Sequence, residues 1–183
     1  MAMKLEEKTV RKNYVYKGRI INVRCDDAEL PNGNPCLREV IEHPGGVCVA
    51  ALTQSDELIF VRQFRYPYYE VVLELPAGKL EKGEDPLETG KRELLEEAGC
   101  VAEEYADLGK FYPSPGYCGE IISLYAAKGL RFSGQKLDED EFLNVETIPL
   151  DRAVEMVLSN EIRDGKTQAA VLKLKLLKDR GRF

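Results

Sequence analysis

The sequence contains no tryptophan and a single histidine, His43. Catalytic designs that need two histidines are thereby excluded. His43 stands before Pro44-Gly45-Gly46 and reads as a turn residue rather than a ligand. Cys25, Cys36, Cys48, Cys100 and Cys118 are odd in number and form no CxxC pair, so neither a disulfide framework nor a zinc site is indicated, and a reducing cytoplasm fits. No apolar run approaches the ~18 residues of a membrane span, and the opening MAMKLEEKTVRKN has no apolar signal core, so neither membrane insertion nor secretion is expected. Positive charge is outnumbered, with 26 Lys and Arg against 32 Asp and Glu. The net charge of −6 argues against a broad nucleic-acid footprint.

What is present suits a globular chain. At 183 residues, 44% apolar and 32% charged, it can bury one sizeable core. The stretch that organises the rest is Gly78 to Cys100, GKLEKGEDPLETGKRELLEEAGC. Asp85 is a favourable N-cap, Pro86 suits the first helical position, Glu88 follows three residues after the cap, and Gly99 ends the run, so a helix is predicted between them. At about 100° per residue, Leu87, Leu94, Leu95 and Ala98 make its core face. Glu93, Glu96 and Glu97, spaced i, i+3 and i+4, share an arc on the other side, where like charges repel. Glu96 and Glu97 also meet the negative end of the helix dipole, and Gly90 in mid-helix costs roughly 1 kcal/mol relative to alanine. A solvated acidic face would explain the glutamates alone. A divalent cation would offset their repulsion, because carboxylate oxygens clustered on a rigid element are what Mg²⁺ or Mn²⁺ prefers.

The spacing narrows the choice. Gly78, Glu84, Arg92, Glu93, Leu94, Glu96, Glu97 and Gly99 resemble, position by position, the Nudix box: a glycine, five residues, Glu, seven residues, then Arg-Glu-aliphatic-any-Glu-Glu-any-Gly. Cys100 stands where the box usually has an aliphatic residue, a mild departure.

Around this helix, residues 13 to 42 read as a small antiparallel unit. Its strands are Tyr14 to Tyr16, Ile20 to Leu30 and Cys36 to Glu42, with a turn at Pro31-Asn32-Gly33-Asn34. Its edges need protection, so pairing with a second subunit is expected. Val47 to Leu52 and Leu58 to Tyr66 are predicted as two strands of the central sheet, Val71 to Leu75 as a third that delivers the chain to Pro76-Ala77-Gly78. Leu108 to Tyr112, Ile121 to Ala127 and Phe142 to Ile148 complete the strands. Helices follow over Asp151 to Ser159, capped by Asp151, and roughly Lys166 to Lys178. The expected fold is α/β, a Nudix-type α/β/α sandwich with a mixed central sheet, preceded by the N-terminal antiparallel β unit. The division falls at 1–45, a dimerisation unit, and 46–183, the Nudix domain.

The likeness extends beyond the box. Leu58 to Tyr66, then Leu73-Glu74-Leu75-Pro76-Ala77-Gly78, is similar to the strand and loop that precede the box in ADP-ribose pyrophosphatases. Pro115, sixteen residues after Gly99, stands at that subfamily's marker proline, and Arg38 with Glu42-His43-Pro44-Gly45 is also similar. The resemblance implies Mg²⁺-dependent hydrolysis of ADP-ribose to AMP and ribose 5-phosphate, with Mn²⁺ a possible substitute. It implies that the carbonyl of Ala77 and the carboxylates of Glu93 and Glu97, helped by Glu96, hold the cations, while Arg92 and Glu84 orient them. In the tetrad Asp138-Glu139-Asp140-Glu141 it points to Glu139 as general base, Glu141 second. Arg65 and Arg38 are candidates for gripping the diphosphate or ribose, Gly78 and Pro115 for shaping the substrate site, and Glu120 for the terminal ribose hydroxyls. Adenine would stack on Tyr14, Tyr16 or Tyr117. An acidic chain must recruit such a polyphosphate through bound metal and a few arginines rather than through its overall field. Two alternatives stay open: another nucleoside diphosphate sugar, such as GDP-mannose or UDP-glucose, and a non-catalytic nucleotide-sugar-binding module.

Overall fold

The computed structural model describes residues 3–137 and 142–183, and the tetrad 138–141 lies outside them. The chain divides into two compact units, one formed by Met1–Gly45 with Tyr112–Ile121, the other by Gly46–Phe111 with Ile122–Phe183.

In the first unit the strands are β1 (Lys8–Arg11), β2 (Tyr14–Lys17), β3 (Asn22–Glu29) and β4 (Pro35–Glu42). β3 is the spine: β4 pairs with it along its whole length, while β1 and β2 pair antiparallel with its two ends. The turn from β3 to β4 closes through Leu30 N–H to Asn34 O at 2.8 Å and Asn34 N–H to the Asn32 side chain at 3.0 Å, the local bonding that Asn favours in turns. Tyr112–Ile121 joins this unit at β4, where Ile41 N–H donates to Tyr117 O at 2.8 Å and Gly119 N–H donates to Ile41 O at 2.9 Å. β1 is a strand that periodicity did not indicate, since all four of its residues are exposed.

The second unit runs β5 (Gly46–Ala51), β6 (Glu57–Arg65), a 3₁₀ turn (Tyr66–Tyr68), β7 (Glu70–Glu74), β8 (Ala77–Lys79), α1 (Pro86–Ala98), β9 (Cys100–Val101), β10 (Glu104–Phe111), β11 (Ile122–Lys128), β12 (Arg131–Phe132), β13 (Leu143–Pro149), α2 (Leu150–Leu158) and α3 (Gly165–Asp179). A mixed sheet has the order β10-β11-β5-β8, in which β11 and β5 are parallel and the other pairs antiparallel. An antiparallel sheet has the order β13-β6-β7.

Every residue of β5 is buried, as expected of a strand covered on both faces. Val47, Val49 and Ala51 pack with Leu94 and Ala98 of α1. Cys48 and Ala50, pointing the opposite way, pack in the cluster that holds Ala153 of α2 and Val171 and Leu174 of α3. Helices thus cover both faces of this strand, and the fold is the expected α/β/α sandwich.

Three expectations need correction. β5 and β6 do not share a sheet: past the Leu52–Leu58 bridge they part, because β11 and β8 already occupy both edges of β5. Asp151 does not cap α2. Pro149 holds that position without a side-chain bond, and the Asp151 carboxylate lies 2.9 Å from Lys175 Nζ. Leu87 and Leu95 are half-buried, so the buried apolar face of α1 is Gly90, Leu94 and Ala98. A Cβ on Gly90 would stand 3.1 Å from the Cγ2 atoms of both Val47 and Val49, so the glycine allows the helix to lie close on β5. No described helix is long and apolar enough to cross a membrane.

Candidate active site

The ends of α1 are built as the sequence implied. Asp85 Oδ1 accepts from the Leu87 and Glu88 amides at 2.9 and 3.2 Å, and Pro86 occupies the first turn. Gly99 takes the left-handed conformation at φ 64° and donates back to Leu94 and Leu95 O. It is required twice over, since a Cβ there would also meet the backbone of Gly134 and Gln135 at 2.5–2.6 Å. The segment 133–136 satisfies the carbonyls that α1 leaves open. Gln135 Nε2 donates to Glu97 O at 2.7 Å and Lys136 N–H to Glu96 O at 3.0 Å, two residues before the tetrad begins.

Glu93 and Glu97 are not on a solvated face. They are 7% and 3% exposed and lie beside the apolar stripe, facing the loop that leads into β8. The Ala77 amide donates to Glu97 Oε2 at 2.9 Å. A Cβ on Gly78 would stand 1.9 Å from Glu93 Oε1, so the missing side chain at 78 is what admits that carboxylate.

Arg92 resolves the expected repulsion. Its Nη1 donates to Glu93 Oε1 at 2.8 Å and to Glu96 Oε2 at 2.9 Å, while Nε and Nη2 reach the two oxygens of Glu84 at 3.2 and 3.3 Å. Those bonds from Arg92, with the Glu81 amide assisting, draw the Glu84 carboxyl down to about 2, and they hold Arg92 firmly charged. Three carboxylates, Glu84, Glu93 and Glu96, therefore gather round one guanidinium, while Glu97 accepts from the Ala77 amide. Their hard oxygen donors suit a divalent cation, and burial of Glu93 and Glu97 makes nearby positive charge valuable. Among the described residues, no three His, Cys, Asp or Glu side chains converge as a finished cage.

The remaining candidates fall on several elements. Gly78 lies in β8 and Arg65 at the end of β6. Arg38, in β4, is held by Glu7, with Nε donating at 2.8 Å and Nη2 at 2.6 Å. Glu120 Oε1 lies 3.3 Å from His43 Nδ1, which also accepts from the Gly45 amide. Pro115, Tyr117 and Arg38 line a cavity of about 290 Å³ in the first unit together with Arg24, Asp26 and Glu39. Tyr14 and Tyr16 are exposed in β2. Glu139 and Glu141 belong to the tetrad and lie outside the described residues.

A family model described as the NUDIX domain matches residues 42–171. The chain belongs to the Nudix family. It is a Nudix hydrolase whose residues 7–41 also match a nucleoside diphosphate sugar hydrolase N-terminal domain. ADP-ribose pyrophosphatase of Bacillus subtilis is 44% identical over 174 residues, 94% of each chain. A methanol dehydrogenase activator of Bacillus methanolicus is 44% identical over 178 residues, 96% of each chain. The crystal structure of an ADP compounds hydrolase superposes with a TM-score of 0.85 over the whole of both chains at 23% identity, a likeness of fold.

In this Nudix hydrolase the sequence reading missed a second charged cluster. Glu74 of β7 is 2% exposed and accepts from Arg65 Nε and Nη2, both at 2.6 Å, and from Lys166 Nζ. Burial pushes its carboxyl up, but the Arg65 fork and the Lys166 charge prevail and hold it below its ordinary value. The signal was a glutamate inside a run otherwise read as an apolar strand, Val71 to Leu75.

Proposed function

We propose that this Nudix hydrolase cleaves the diphosphate linkage of ADP-ribose to AMP and ribose 5-phosphate, using Mg²⁺, with Mn²⁺ as a possible substitute. The observation that carries the reading is the placing of two buried carboxylates, Glu93 and Glu97, against the backbone of Ala77 and Gly78. The carbonyl of Ala77 with Glu93 and Glu97, assisted by Glu96, would hold the cation. Once bound, it would neutralise the diphosphate and make the attacking water more acidic. Arg92 and Glu84 fix the carboxylates in place. Glu139, with Glu141 second, takes the water's proton. Arg65 grips the diphosphate, and Gly78 shapes the site by admitting the Glu93 carboxylate. Arg38, Glu120 and Pro115 are assigned to the rest of the substrate.

The name of the Bacillus subtilis relative supports ADP-ribose over GDP-mannose or UDP-glucose. The equally similar Bacillus methanolicus protein supports a second reading, in which this chain activates a methanol dehydrogenase. One experiment separates these readings: kcat/KM for ADP-ribose, GDP-mannose and UDP-glucose with Mg²⁺ and with Mn²⁺, alongside a methanol dehydrogenase assay with and without the chain. A clear preference for ADP-ribose is expected. A preference for another sugar replaces it as substrate, and stimulation of the dehydrogenase without hydrolysis favours the second reading.

We also infer that the N-terminal unit, residues 1–45, forms a homodimer. Val10, Val15, Ile20 and Leu37 are exposed apolar residues there, an area that water covers poorly. A monomeric mass by light scattering at micromolar concentration would refute this.

A further inference from the structure

We propose that Glu74 is a positioning residue for Arg65, with Lys166 and Asp164 locking it, so that the guanidinium meets the substrate's diphosphate in one fixed orientation. The inference rests on the reading of Arg65 given under the proposed function.

Arg65 uses one edge of its guanidinium on Glu74: Nε reaches Oε1 and Nη2 reaches Oε2, a side-on fork. Its other edge, formed by Nη1 and the outer N–H of Nη2, has no hydrogen-bond acceptor among the described residues, and the side chain is 38% exposed. One planar group thus carries an anchored edge and a free edge, and the free edge has the spacing that two phosphate oxygens accept.

The anchor is itself held. Lys166, nearly buried, donates to Glu74 Oε2 and also lies 2.9 Å from Asp164 Oδ2. Asp164 caps α3, accepting from the Thr167 amide at 3.0 Å and from the Thr167 hydroxyl at 2.6 Å. The Thr167 hydroxyl oxygen in turn accepts from the Leu75 amide at 3.0 Å, tying the residue after Glu74 to the same helix start. Charges alternate along Arg65, Glu74, Lys166 and Asp164, and each bond restrains the next.

Stability alone does not account for this arrangement. Buried ion pairs are often replaceable by apolar residues of similar volume with no loss of stability, and β7 packs in a core where leucine or valine would serve. What apolar residues could not do is hold a half-exposed arginine at one angle. Fixing it in advance lowers the ordering cost of binding and should appear in KM.

The test is a double-mutant cycle of Glu74→Gln and Arg65→Ala, with thermal unfolding as a check on folding. Glu74→Gln is expected to raise KM for ADP-ribose roughly tenfold with kcat within about twofold, and in the Arg65→Ala background it should change KM little. An unchanged KM, or effects that add fully in the double variant, would overturn the proposal, because a merely structural glutamate has no reason to act through Arg65. If Glu74→Gln does not fold, Glu74→Gln with Lys166→Met removes both charges together and is read in the same way. If the wild type does not hydrolyse ADP-ribose at all, the proposed reaction fails. The cycle is then read by calorimetry with inorganic pyrophosphate, where a weakened affinity lost in the Arg65→Ala background supports the positioning role and an unchanged affinity overturns it.

Discussion

The carboxylate of Glu93 occupies the space where residue 78 would carry a side chain: a Cβ on Gly78 would stand 1.9 Å from its Oε1. A helix and a strand are brought into register by the absence of one carbon. The obstructing atoms are the far end of a flexible side chain, so Gly78→Ala can be accommodated by swinging Glu93 aside. The expected outcome is a folded protein, within about 1 kcal/mol of wild type, whose turnover falls by about 10²-fold or more. Circular dichroism and steady-state kinetics on the same preparation check both halves. Near-normal activity would remove Glu93 from the site.

Gly90 tests the packing beneath that site. Alanine is about 1 kcal/mol better in a helix interior, but its Cβ would press on Val47 and Val49 in a fully buried strand, and overpacking costs about 1–3 kcal/mol. Gly90→Ala should therefore lower the melting temperature by a few degrees, roughly 2–4 °C per kcal/mol lost at this size. A higher melting temperature would show that β5 yields.

These two glycines mark how far the sequence could be read. The limits of α1 followed from Asp85, Pro86 and Gly99 because caps are local chemistry. Its core face did not, because helical periodicity counts leucines and overlooks a glycine chosen for close approach. The burial of Glu93 and Glu97 was not legible either, since their spacing sets them on one arc without showing what covers it; here the Ala77 amide meets Glu97 and the Arg92 guanidinium meets Glu93. Separation of β5 from β6 was also illegible: two apolar runs joined by a turn look like a hairpin, and only distant β11 and β8 decide otherwise. The Glu74 cluster depends on Lys166, 92 residues away, a contact that no local pattern encodes.

Acid and alkali should act on that cluster in opposite ways. Glu74 sits below its ordinary value of 4.5 because the Arg65 fork and the Lys166 charge outweigh the opposing effect of burial. Lys166 sits above its ordinary 10.5 because Asp164 and Glu74 outweigh burial. Glu74 therefore adds stability above about pH 4.5 that is lost as pH falls through its lower folded value. Lys166 adds stability below about pH 10.5 that is lost as pH rises through its higher folded value. Glu74→Gln should cost about 3 kcal/mol at neutral pH, leaving buried positive charge behind, and the difference from wild type should shrink as pH falls below the ordinary value of 4.5. Melting curves of both proteins across that range check this; a difference independent of pH would contradict it.

The most direct measurement is a calorimetric titration of Mg²⁺ and Mn²⁺ into the wild type and into Glu97→Gln, with and without ADP-ribose. Glutamine keeps an oxygen to accept from the Ala77 amide, so the link between strand and helix should survive while a ligand charge is lost. The expected result is saturable cation uptake by the wild type and affinity weakened at least roughly tenfold in the variant. Absence of uptake by the wild type under either condition, or equal uptake by the two proteins, would contradict the assignment of these buried carboxylates to a cation.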